Sequence, residues 1–254
     1  MPVDADSSRV IFSSNRNGSF NLFKQRLDSD VAEPFVVGPA TLSLARVTSD
    51  GQWVLYTDDR PGQPSRIMRV PLEGGRPEPL VTYPPGAGGW CHCSFHGRCV
   101  LLEYSPIAGS PVRVFALDPI RGRQQQLTQF PSSSLGANLT PEGEHFAYLM
   151  PEETGIQNHI RIVSFQGEPS QEIVVKNAGH LGTLDSFPTG GFLSQELATP
   201  HHPLLFITPE GNATVLWRPG EQLDLFVALS SPDGKHLAID ASSGQSNVWL
   251  IDKH

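Results

Sequence analysis

The chain is short of cysteine, of long apolar runs and of clustered basic charge, and each shortage removes a class of protein. Its three cysteines all lie between Cys91 and Cys99, too few to staple a scaffold. A chain of 254 residues with 38% apolar content has core enough not to need stapling. No stretch approaches the ~18 consecutive apolar residues of a membrane-spanning helix, so insertion by this chain is not expected. The polar segment from Met1 to Ser8 lacks the apolar centre of a secretion signal. As written, the chain is expected in the cytoplasm, or outside it if tethered in a longer parent protein. Eighteen basic residues stand against 26 acidic ones, for a net charge of −8. With no basic run, nucleic acid is not an expected partner. Gly-x-Ser-x-Gly, His-Glu-x-x-His, a Gly-rich phosphate loop, His-Arg-Asp and Asp-Phe-Gly are all missing. No linear motif therefore indicates an enzyme, and no cofactor is indicated.

What the chain does have is turns. Twenty-four glycines and 23 prolines are scattered without a short period, as many short strands require. Gly51, Gly97, Gly143, Gly190 and Gly234 follow one another at intervals of 44 to 47 residues. Each precedes an apolar run: Trp53–Tyr56, Cys99–Glu103, His145–Tyr148, Gly191–Leu193 and His236–Ile239. Arg9–Phe12 is a sixth such run without its turn. A second strand follows at Asn21–Phe23, Arg66–Val70, Val112–Ala116, His159–Val163, Leu204–Ile207 and Asn247–Ile251. Outer strands are expected at Pro79–Val81, Gln126–Thr128, Glu172–Val175 and Ala213–Trp217. Inner strands are expected before each marker, at Leu44–Val47, Trp90–Cys93, Gly136–Leu139, Leu184–Phe187 and Phe226–Leu229. Four strands per roughly 45 residues is the spacing of propeller blades. A lone blade leaves its faces and edges uncovered, so residues 1–254 are expected to form one all-β domain, a propeller of four-stranded antiparallel blades, six in number. The first copy lacks its inner strand and the last its outer one, which suggests that residues 1–12 help to close the ring.

The Ser231-Pro-Asp-Gly-Lys-His-Leu-Ala-Ile239 unit, Asn247-Val-Trp-Leu-Ile251, Arg9-Val-Ile-Phe-Ser-Ser-Asn-Arg-Asn-Gly18 and Gln126-Leu-Thr128 together resemble the TolB-type, WD40-like repeat. The likeness covers essentially the whole chain. It looks closest to propeller regions attached to bacterial Ser/Thr kinases and winged-helix regulators of the acidobacterial kind, including the paired Cys91 and Cys99 and the closing Ser246-Asn-Val-Trp249. The resemblance implies a sensing or protein-binding part of a signalling chain. Thr189-Gly-Gly191 departs from the pattern by lacking the acidic turn residue, and Phe95-His-Gly97 replaces Pro-Asp-Gly.

Cys91, His92, Cys93, His96 and Cys99 are dense enough in soft ligands to invite a zinc reading. On an extended strand, however, Cys91 and Cys93 face one side and His92 the other, and Cys-x-x-Cys is missing. Buried thiols are the leading reading. A hairpin disulfide joining cross-strand Cys93 and Cys99 comes next and a metal last, so no metal site is expected. His201-His202 reads as a solvated loop, Asp58-Asp59-Arg60-Pro-Gly62 as a hairpin tip, and Asn17-Gly18 as a two-residue turn needing positive φ. Where inner strands converge on a central channel, Arg46, His92, Asn138 and Asp185 are the candidate ligand-binding residues, and ordinary solvated channel positions are the alternative. The expected function is a non-catalytic scaffold for a protein or peptide partner, with a small molecule in the channel as a further possibility. A hydrolase or lyase acting on carbohydrate or peptide at the channel mouth is the alternative.

Overall fold

The structure, a computed structural model, describes residues 7–134, 136–150, 157–199, 202–220, 224–242 and 246–252; for 224–226, 241–242 and 246–252 only the backbone is described. Among the described residues every regular element is a strand, and each sheet is an antiparallel meander of strands consecutive in sequence. The chain divides into two compact units, residues 1–132 and 133–254.

The first unit contains three sheets. The first holds β1 (Arg9–Asn17), β2 (Ser19–Arg26) and β3 (Ala32–Val36). The second holds β4 (Thr41–Val47), β5 (Trp53–Asp59), β6 (Arg66–Pro71) and β7 (Glu78–Thr82). The third holds β8 (Gly88–Cys93), β9 (Cys99–Tyr104), β10 (Val112–Asp118) and β11 (Gly122–Phe130). The sheets pack face to face through apolar layers. Ile11, Leu22, Val54, Tyr56 and Val70 fill the first layer, and Leu55, Ile67, Cys91, Leu101 and Phe115 fill the second. Each such side chain stabilises the fold by about 1.5–3 kcal/mol through its removal from water. No single sheet has a partner for its apolar face within itself, which makes the layers the cohesive element.

The second unit repeats the plan. It has β12 (Ala137–Leu139), β13 (His145–Leu149), β14 (His159–Ser164) and β15 (Gln171–Val174), then β16 (Asp185–Ser186), β17 (Phe192–Gln195), β18 (Leu204–Ile207) and β19 (Ala213–Trp217). A last sheet holds β20 (Asp224–Ser230), β21 (His236–Ser242) and β22 (Ser246–Asp252). Ala147, Leu149, Ile160, Phe192 and Ile207 form one layer, and Leu193, Leu204, Ala228 and Ile239 another. The irregular stretch before β16 is fastened by buried Glu196, whose carboxylate accepts bonds from the backbone N–H groups of Gly179, His180 and Ala198 at 2.9, 2.9 and 3.2 Å.

The marker turns sit where expected, between the first and second strands of five sheets. Three of them share their wiring, those at Gly51, Gly143 and Gly234. Ser231 N–H donates to His236 O and Gly234 N–H to Ser231 O, both at 2.9 Å. The Ser231 hydroxyl donates to Asp233 and accepts from His236 N–H. Thr48, Asp50, Gly51 and Trp53 repeat this set bond for bond. Thr140 with Gly143 and His145 repeats it without the acid bond. A hydroxyl residue, a carboxylate two positions on and a Gly at positive φ therefore close a six-residue loop by themselves.

Five blades thus carry an inner strand and a marker turn, four of them four-stranded and the last, β20–β22, three-stranded. The expectation of six four-stranded blades is corrected: among the described residues β1–β3 is a three-stranded sheet with neither inner strand nor marker turn. The closing role suggested for residues 1–12 falls partly on 1–6, outside the described residues, and Arg9–Phe12 pairs with β2. At Asn17-Gly18 only the glycine has positive φ, at 102°.

Candidate functional site

The four inner-strand candidates occur as two pairs. In the first unit, β4 is bulged between Ser43 and Arg46, and Leu44 takes φ 51°. Half-buried Arg46 follows the bulge and donates to its neighbour's carbonyl, Ala45 O, at 2.8 Å. His92 on β8 is buried. Its Nε2 accepts a hydrogen bond from Trp90 Nε1–H at 3.1 Å, which assigns the ring proton to Nδ1. Nδ1 has no partner. Burial, and secondarily the charge of Arg46, holds the His92 pKa well below the usual imidazole range, so the ring is neutral.

In the second unit, buried Asn138 on β12 donates through Nδ2 to Asp185 Oδ1 on β16, and its own Oδ1 accepts from Leu139 N–H at 2.8 Å. The Ser186 hydroxyl donates to Leu139 O in the next register position. Two side-chain bridges therefore stitch adjacent inner strands. Asn138 and Asp185 satisfy each other, as a structural pair does.

The Cys/His hairpin resolves among its three readings. Cys93 and Cys99, directly opposite in the β8–β9 register, form a disulfide, and Cys91 remains a buried thiol. The partner of Cys99 is thus Cys93 and not Cys91. Burial pushes the Cys91 thiol pKa up to about 12, so it is no ready nucleophile. Among the described residues no group of three or more His, Cys, Asp or Glu is placed to hold a metal. Asp58 is buried and clamped by Arg60 at 3.1 Å and Arg66 at 3.0 Å, at the tip of the β5–β6 hairpin. His201 lies outside the described residues, and His202 takes φ 45° beside it.

A cavity lies elsewhere in the first unit, beside the second and third sheets. About 440 Å³ in volume, it opens between β7 and β9–β11 and is lined by Tyr83, Glu103, Tyr104, Arg113 and Arg123. Glu103 on β9 has only 3% of its side chain exposed. Arg123 Nη1 donates to both of its carboxylate oxygens at 3.0 Å, while Arg113 Nη2 stands 3.6 Å away as an ion pair. Both guanidinium groups also rest on the Phe115 ring, at 5.6 and 5.1 Å from its centroid. The buried Tyr83 hydroxyl has no hydrogen-bond partner. Burial, then the Glu103 charge, raises its pKa beyond the usual phenol range, so it stays protonated.

A glycine pair makes room for this wall. A Cβ at Gly88 would strike the Tyr104 hydroxyl, and one at Gly89 the Tyr83 hydroxyl and Leu102 O. The sequence reading began its inner strand at Trp90 and passed over Gly88-Gly89. Two adjacent glycines before a strand were the available signal of close approach.

No protein-family model matches the chain. No curated protein matches it in sequence. Solved structures do resemble it. TolB from Acinetobacter baumannii superposes with TM-score 0.66 at 13% identity over 98% of this chain, which spans 64% of that protein's length. Putative TolB from Agrobacterium tumefaciens gives TM-score 0.68 at 18% identity, covering 100% of this chain and 89% of that one. The fold is a β-propeller. An oligogalacturonate lyase solved in complex with manganese is similar too, with TM-score 0.65 at 14% identity over 99% of this chain and 73% of its own. These likenesses establish architecture, and the propeller hosts unrelated functions. The finer likeness to kinase- and regulator-attached propellers is carried by the quoted sequence motifs alone.

Proposed function

We propose that this propeller is a non-catalytic binding scaffold, taking a protein or peptide partner or sensing a ligand as one part of a bacterial signalling system. One observation carries the reading. The inner-strand candidates Asn138 and Asp185 are bonded to each other, whereas the lateral cavity is lined by two half-exposed arginines whose N–H donors Glu103 engages only in part. Binding through preformed donors on a rigid scaffold needs no reacting group. The hydrolase or lyase alternative calls for a carboxylate cluster or a His–acid pair on the inner strands. The His–carboxylate pairs found, His145 with Glu168 and His159 with Glu172, come from other strands and loops and have at least a quarter of each side chain exposed.

The test is selection of peptides from a displayed random library on the immobilised chain, followed by calorimetry of the selected sequences. A peptide that binds saturably at one per chain is the expected result. If no peptide saturates, or if wild-type protein turns over a peptide or polyuronide panel and Asp185→Asn abolishes that turnover, the reading fails.

A further inference from the structure

We propose that the cavity between β7 and β9–β11 is a carboxylate-binding site, in which Arg113 and Arg123 are the recognising groups. The inference rests on the binding reading above and adds the chemistry of what is bound.

Charge and donor count both lead there. The wall holds two guanidinium groups and one carboxylate, a surplus of one positive charge, which suits a monoanion better than a phosphate dianion. Glu103 engages a single nitrogen of Arg123 by hydrogen bonds and only pairs electrostatically with Arg113. A guanidinium carries five N–H donors in a fixed fork. About half of each arginine side chain, 48% and 49%, is exposed. Their stacking on Phe115 and the anchoring by Glu103 hold the forks in place before any ligand arrives, which lowers the ordering cost of binding.

Tyr83 is a fixed wall of the cavity. A phenol buried to within 5% of full enclosure with an unpaired hydroxyl is an unusual expense in a folded protein. Gly88 and Gly89 have no side chains where any Cβ would push Tyr83 and Tyr104 aside, so the placement is built into the backbone. Leu80, Val81 and Ala87 provide apolar walls for the remainder of the ligand.

The carboxylate has two sources, a small organic acid or the free end of a peptide, and calorimetry on the full chain separates them. The probes are isovalerate, acetyl-Ala-Ala-Val acid and the corresponding C-terminal amide. At least one acid is expected to bind saturably, with the amide at least tenfold weaker. Binding by isovalerate assigns the site to free acids, and binding by the tripeptide acid alone assigns it to chain ends; either supports the proposal. Tyr83→Phe is the control, because it removes a hydroxyl that bonds nothing and is closed to solvent while keeping the wall. It should leave the melting temperature unchanged or raised and acid binding intact, whereas Arg113→Gln should weaken acid binding tenfold or more. No binding by either acid, equal binding of acid and amide, or an Arg113→Gln variant that binds as wild type would overturn the proposal. A library-selected peptide that still saturates Arg113→Gln would retain the scaffold reading and reject this cavity as its site.

Discussion

Reducing the Cys93–Cys99 disulfide tests the most local covalent feature of the fold, and its size follows from sequence separation. The bond closes a loop between residues six apart. On the chain-entropy account, so short a loop restricts the unfolded chain by about 2 kcal/mol. The native hairpin changes little, because β8 and β9 are already paired in register from Gly88–Tyr104 to Cys93–Cys99. For a chain of this length each 1 kcal/mol moves the melting temperature by about 2–4 °C, so oxidatively refolded protein should melt about 4–8 °C above the same sample in reductant. A thiol count supports the melt. Denatured, unreduced protein should expose one reactive thiol, Cys91, and reduced protein three. Native protein should expose almost none, since Cys91 is buried and its pKa is raised. Three thiols in the unreduced sample, or coincident melts with and without reductant, would refute the argument.

Acid should weaken the protein through His92. Its folded pKa is depressed, so its neutral form is favoured by folding, and the contribution is intact above the unfolded value near 6.5 and lost as pH falls below it. The slope is at most about 1.4 kcal/mol per pH unit. Urea midpoints at pH 7.5 and 5 should differ less in His92→Phe than in wild type, and an equal difference would count against the assignment. Gly190→Ala and Gly191→Ala both place a side chain at positive φ, costing about 1–2 kcal/mol. Only at Gly191 does the new Cβ also meet the Ile207 carbonyl, so that variant should melt at the lower temperature; equal melting would show that the turn relaxes. Glu196→Ala strips the acceptor from three backbone N–H groups and should cost about 2–4 kcal/mol by urea denaturation. A loss under about 0.5 kcal/mol would mean that water replaces the carboxylate.

The strand plan was legible because its signals are local. Every expected strand overlaps an observed one, and even the irregular Phe95-His-Gly97 turn joins β8 to β9 between Cys93 and Cys99. A turn residue and an alternating run act over five or six positions, a range that sequence patterns cover. The blade count failed at β1–β3, because a copy already lacking its inner strand and its marker turn in the sequence was still counted as a full blade. Asn138 and Asp185 were found because inner strands recur at fixed spacing, although their mutual bond lies 47 residues apart in sequence. The cavity was not legible at all. Glu103, Arg113 and Arg123 meet only through the register of three strands, and Tyr83 reaches them from the preceding sheet. Such a site is written in sheet packing, and the linear spacing of its residues resembles nothing in particular.

The hydroxyl–acid–Gly loop that joins Ser231 to His236 draws every bond it needs from its own six residues. It is therefore a transplantable part. Writing Ser-Pro-Asp-Gly-Lys-His in place of Phe187–Gly191 or Ser94–Arg98, loops closed over five residues by the same first-N–H-to-last-carbonyl bond, asks the host blade to take one more residue and little else. In that sense the chain already contains the consensus from which a regularised, fully repetitive version of itself could be drafted.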